Sequence, residues 1–159
     1  MCLSTNKINC LIVEDDKFKI DSVCSFLNDV FPNRVSITEC HALATASVAI
    51  NDCSFDLAII DMSIHSHEPE AGAGSPVPLT SGGLDVLFEV NFSKKTTHCI
   101  ILTQYPDIPI AGEPIPVEFS TKEILDKFEI IVAGCVQYNQ NDQKWKTDIT
   151  SILKRLDML

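Results

Sequence analysis

The stretch Ile8–Ile20, INCLIVEDDKFKI, joins an apolar run to three consecutive acids and then to a helical pattern. Ile8 to Val13 is short, continuous and apolar, as expected of a strand covered on both faces. From Asp16 the period changes: Ile20, Val23, Cys24, Leu27 and Val30 recur at helical spacing until Pro32 and Asn33 end the pattern. Glu14, Asp15 and Asp16 fall at the junction, where clustered charge is costly unless something neutralises it.

The same unit repeats along the chain. Val35 to Glu39 alternates as a second strand, and Ala42 to Ile50 reads as a helix with Leu43, Ala46 and Ile50 on one face. FDLAIIDM, Phe55 to Met62, is a third buried strand that reaches another acid, Asp61. The polar run from Ser63 to Gly83, rich in glycine and proline, reads as a long loop. Leu84, Leu87 and Phe88 give a helix, and HCIILT, His98 to Thr103, a fourth strand ending in a hydroxyl. QYPDIPIAGEPIPVEF carries four prolines and reads as a second extended loop. Ser120 with Glu123 predicts a capping box for a helix carrying Ile124, Leu125 and Phe128. Gly134 to Tyr138 is the expected fifth strand, followed by a helix with Trp145, Ile149, Ile152, Leu153 and Leu156 on one stripe.

Strands alternating with helices predict an α/β fold, a doubly wound five-stranded parallel sheet with helices on both faces and long loops after strands 3 and 4. Ligand sites in such sheets lie at the carboxyl ends of the strands, beside the point where strand order reverses. Glu14, Asp15, Asp61 and Thr103 all stand at such ends.

Composition narrows the function classes. The 159 residues suit one domain, and no apolar run approaches the roughly 20 residues that span a bilayer. MCLSTNKINC has no signal-peptide pattern, so a cytoplasmic protein is expected. Seven cysteines, scattered and without C-x-x-C, read as buried thiols rather than disulfides or zinc ligands. A net charge of −10, with no basic stripe to offset it, argues against direct nucleic-acid binding.

LIVEDD at the first strand end, LAIIDM at the third and IILT at the fourth together resemble the receiver domain of two-component response regulators, over about residues 8–156. The resemblance implies a flavodoxin-like strand order, 2-1-3-4-5, a single receiver-like domain over 1–159 and no output domain. It implies that Asp61 is the phosphoacceptor, loaded by a histidine kinase or phosphotransfer protein. It further implies that Mg²⁺ is held by Glu14, Asp15, Asp61 and the backbone carbonyl of Ser63. Thr103 would be the switch hydroxyl and Tyr138 the switch aromatic. Output would pass through contact with a downstream protein, with a homodimer possible and neither nucleic acid nor membrane involved.

The chemistry agrees with the residues. A carboxylate nucleophile and an anionic donor repel each other, and a hard divalent cation among carboxylates screens that repulsion. Three departures stand out. Receivers usually place a lysine three residues after the aromatic, where YNQND puts Asn141, leaving Lys144 or Lys146 as substitutes. The glycine usual about eight residues after the nucleophile corresponds to Gly83, and a proline-rich insertion follows Thr103.

Plainer readings stand beside these. Asp15 and Asp16 are good helix N-caps, and His65, His67, Glu68 and Glu70 fit a polar loop better than a metal cluster. Two other functions compete with the phosphoacceptor. One is a pseudo-receiver that keeps the pocket and signals without phosphorylation; the other is an Mg²⁺-dependent phosphatase, which would want an acid where Ser63 stands.

Overall fold

The structure is a computed structural model that describes residues 6–159. In chain order the elements are β1 (Ile8–Val13), α1 (Lys17–Val30), β2 (Val35–Cys40), α2 (Leu43–Asp52), β3 (Leu57–Ile60), β4 (Ile64–His65), β5 (Pro78–Leu79), α3 (Gly82–Phe92), β6 (His98–Thr103), β7 (Asp107–Ile110), β8 (Glu113–Pro116), α4 (Val117–Phe128), β9 (Gly134–Gln137) and α5 (Lys144–Arg155). Five strands form one parallel sheet in the order β2-β1-β3-β6-β9. Order reverses between β1 and β3, so their carboxyl ends flank the switch point.

Alternate residues of each central strand enter opposite cores. Leu11, Val13, Ala58, Ile60 and Ile101 pack under α2, α3 and α4, while Cys10, Ile12, Leu57, Ile59, Ile100 and Leu102 pack under α1 and α5. Two-sided burial explains why these strands read as continuous apolar runs rather than alternating ones. Trp145 seals the α1/α5 side, edge-on to Phe26 at 5.4 Å between ring centroids. The described cysteines are all free, and Cys10, Cys40 and Cys99 are buried. Cys53 is exposed, against expectation, and Cys2 lies outside the described residues.

Both predicted long loops carry more structure than their composition suggests. Ser63–Gly83 is tied by the antiparallel pair β4–β5, and α3 begins at Gly82, so both glycines belong to the helix. The run after Thr103 is the hairpin β7–β8, closed by Ala111 and Gly112, both at positive φ (50° and 82°). That is the backbone a two-residue hairpin turn requires. The prolines disguise it, yet the residues alternate: Ile108 and Ile110 are buried and pack into the core, with Pro109 between them facing outward.

Three boundaries also shift. β3 spans only Leu57–Ile60, so Asp61 and Met62 follow the strand. β9 stops at Gln137, one residue before Tyr138. The Ser120–Glu123 capping box does not form: α4 starts at Val117, and the buried Ser120 hydroxyl donates to the carbonyls of Ile115 and Pro116. The proline-led segment enters the helix a turn earlier, with Pro116 as its N-cap at a φ (−53°) already suited to a helix and costing no needed N–H there.

Candidate functional site

At the carboxyl end of β1 the chain turns sharply into α1, and Glu14 organises the turn. Its Oε1 accepts hydrogen bonds from the backbone amides of Asp15 (2.9 Å) and Asp16 (3.0 Å). Asp16 then caps α1, its side chain accepting from the Lys19 amide at 3.1 Å. Asp16 thus has the capping role its sequence position suggested. The second oxygen of Glu14, Oε2, is left to pair with Lys19.

Opposite stands Asp61, whose amide donates to the Val13 carbonyl at 2.9 Å and so fixes the nucleophile candidate beside β1. Glu14 and Asp61 are both buried, and a cavity of about 170 Å³ opens between Glu14, Asp15, Asp16, Asp61, Ser63, Gln104 and Tyr105. Four of the expected site residues, Glu14, Asp15, Asp61 and Ser63, therefore share one small pocket. Gly83 lies beneath it, donating to the Met62 carbonyl at 3.0 Å. A Cβ there would meet the Asp61 carbonyl oxygen at 2.5 Å, so only glycine allows α3 this close to the Asp61 backbone.

Thr103 ends β6 fully buried, its Oγ1 accepting from the Tyr105 amide at 3.2 Å. Tyr138 is not on that pocket. It is buried on the α1/α5 side, 5.2 Å from Trp145 between ring centroids, and its hydroxyl has no hydrogen-bond partner. It lines a separate cavity of about 450 Å³ with Gln104, Asn139 and Asn141.

The cation of the site is one the sequence reading missed. Lys19, 2% exposed, places Nζ 2.5 Å from Glu14 Oε2, 3.1 Å from Asp61 Oδ1 and 2.7 Å from the Leu102 carbonyl. Neither proposed substitute reaches the pocket: Lys144 pairs with Asp148 at 2.6 Å on the surface, and Lys146 lies over the Trp145 ring. Asn141 is exposed and its amide bonds to Asn139.

Burial raises the Glu14 carboxyl to about 7 despite the opposing pull of Lys19, and the Asp61 charge adds to the rise. Burial also lifts Asp61 above the ordinary carboxylate range, against Lys19 and the Met62 amide. One ammonium among these acids thus under-compensates the desolvation. Oxygen donors of this kind suit a hard divalent cation. They are engaged elsewhere here: Lys19 bridges Glu14 and Asp61, and His65 Nδ1 sits 2.5 Å from Asp15 Oδ2. Among the described residues no three His, Cys, Asp or Glu side chains converge as a formed metal centre. The remaining loop histidine, His67, contacts the Ser66 hydroxyl and the Gly74 carbonyl.

Comparison with known proteins agrees with this architecture. No family model matches the chain. It is 34% identical over 146 residues to the Detocs response regulatory protein DtcB of Vibrio alginolyticus, covering 91% of this chain and 98% of that one. The corresponding protein of Enterobacter cloacae is 22% identical over 92% of this chain and 99% of its own length. Among solved structures, the CheY-like response regulator receiver domain from Methylobacillus flagellatus superposes with a TM-score of 0.57 at 15% identity, over 92% of this chain and 99% of its own. The N-terminal domain of a response regulator/sensory box/GGDEF 3-domain protein from Carboxydothermus hydrogenoformans gives 0.58 at 18%, over 94% and 96%. No helix among the described residues is long and apolar enough to cross a membrane. With the sheet order, the strand-end acids and a relative matched over nearly its full length, the chain belongs to the response regulator receiver family.

Proposed function

We propose that the protein is a phosphoacceptor in a phosphorelay, loaded on Asp61 by a histidine kinase or phosphotransfer protein and acting through contact with a downstream protein. The observation that carries this reading is the shared pocket at the switch point, where Asp61 opens onto a small cavity between Glu14, Asp15 and Ser63. In the transfer step an Asp61 oxygen forms a bond to phosphorus as the P–N bond of the donor's phosphohistidine breaks, and the electron pair returns to the imidazole nitrogen. The Val13 carbonyl and the glycine beneath Met62 hold the Asp61 backbone so that its carboxylate faces the opening.

Glu14, Asp15, Asp61 and the Ser63 carbonyl would hold Mg²⁺, which when bound neutralises charge shared between carboxylates and phosphoryl oxygens. Thr103, at the end of the adjacent strand, would rotate its hydroxyl toward the loaded group. The phosphatase alternative fits less well, because Ser63 supplies no general acid.

Intact-mass analysis after incubation with Mg²⁺ and a small phosphodonor tests the reading. Wild type should gain one hydroxylamine-labile phosphoryl group, and Asp61→Asn none. Wild type that stays unmodified by every donor yet still captures its partner would establish the pseudo-receiver instead.

A further inference from the structure

A buried ammonium is costly unless each of its protons finds an acceptor. Lys19 donates to the Leu102 carbonyl and ion-pairs with Glu14 and Asp61, and its Nζ also lies 5.6 Å from the centroid of the Tyr138 ring. The contacts with the Leu102 carbonyl and the Tyr138 ring reach beyond the two carboxylates. They connect the nucleophile to the residue before Thr103 at the end of β6, and to the aromatic just beyond β9. The Tyr138 hydroxyl, buried and without a partner, marks that end as one whose hydrogen bonding is incomplete in this state.

We propose that Lys19, supplied from the first turn of α1, is the cation that pairs with the phosphoryl group on Asp61 and relays its arrival to the ends of β6 and β9; this rests on Asp61 being the phosphoacceptor. Formation of the acyl phosphate leaves the Asp61 carboxyl uncharged, and the negative charge is then carried by the oxygens of the phosphoryl group that arrives there. Nζ, 3.1 Å from Oδ1, follows that charge because a charge-assisted hydrogen bond to phosphate outweighs one to a neutral carbonyl. The movement releases the Leu102 carbonyl and takes the cation from the Tyr138 ring, which rearranges the two strand ends flanking Gln104. Among the described residues no other lysine or arginine forms an ion pair with Asp61.

Beryllofluoride with Mg²⁺, added to the full chain, tests the relay. Two readouts apply: Trp145 fluorescence, reporting on the adjacent Tyr138, and the Leu102 and Thr103 amide shifts by NMR. Lys19→Met should weaken beryllofluoride binding by about tenfold or more, the loss of one hydrogen bond to a charged group. It should also remove both signals. Lys19→Arg should restore part of each, while Lys144→Ala and Asn141→Lys should behave as wild type. Should Lys19→Met fail to fold, Glu14→Gln with Lys19→Met, compared with Glu14→Gln alone, makes the same comparison without the facing charges. A wild-type response preserved in Lys19→Met, or abolished by Lys144→Ala, overturns the assignment to Lys19 and leaves Asp61 standing. A wild type that binds no beryllofluoride overturns both readings.

Discussion

The Lys19 ammonium lies 2.5 Å from Oε2 of Glu14 with both side chains out of solvent, and it is the pivot of the apo pocket. Removing one partner of such a pair leaves uncompensated buried charge, at about 3–5 kcal/mol. Lys19→Met should therefore lower the unfolding free energy of the metal-free protein by roughly that amount. Adding Glu14→Gln should recover part of the loss, since one of the two stranded carboxylates is gone. Urea unfolding with unchanged m-values measures this. A Lys19→Met midpoint equal to wild type would mean that the pair contributes nothing.

Lys19 was readable in principle. It lies four residues before Val23 and eight before Leu27, so it falls on the buried stripe of α1, where a lysine is out of place. Its neighbours in DKFK disguise it as one charge in a solvated first turn. The five-stranded sheet and the strand-end acids were visible because two-sided burial writes itself as apolar runs. The hairpin β7–β8 was not, because proline at two paired positions suppresses the strand signal while the turn residues Ala111 and Gly112 carry only a weak one. Asp15 pairing with His65, fifty residues away, depends on how β4 docks beside α2, which no local pattern encodes.

The raised Glu14 carboxyl makes stability depend on pH with a definite sign. In the folded chain it binds its proton up to about 7, above its ordinary value of 4.5, so between those values the folded state holds more protons than the unfolded one. Its contribution is complete below 4.5 and is lost as pH rises through about 7. The metal-free protein should thus lose unfolding free energy over that window, by at most about 1.4 kcal/mol per pH unit from this group. Asp61, raised by the same burial, acts in the same direction. Glu14→Gln should flatten the profile; an equally steep profile in that variant would assign the dependence elsewhere.

Gly83→Ala tests how closely α3 supports Asp61, the proposed phosphoacceptor. The added methyl would meet the Asp61 carbonyl oxygen at 2.5 Å and Met62 Cα at 2.9 Å, both backbone atoms that cannot swing aside. Overpacking of this kind costs about 1–3 kcal/mol. Because the relief must displace Asp61 itself, phosphorylation should slow by more than the stability loss alone explains. The Gly112→Ala control, at an exposed turn with open space around its Cβ but positive φ, should cost stability without slowing phosphorylation. Equal rates in Gly83→Ala and wild type would show that α3 does not position the carboxylate.

His65 sets the last test, because its Nδ1 engages the Asp15 carboxylate proposed to hold Mg²⁺. The pair is partly exposed, at 46% and 31% of the side chains, so its hold on Asp15 is modest, about 0–1 kcal/mol. His65→Ala releases that oxygen. Mg²⁺ affinity should therefore rise by about two- to fivefold. Asp15→Asn should weaken Mg²⁺ binding whether or not His65 is present. Amide shifts at residues 14–16 and 61–63 follow both titrations. Identical Mg²⁺ affinities for wild type and His65→Ala would show that His65 does not hold the carboxylate back.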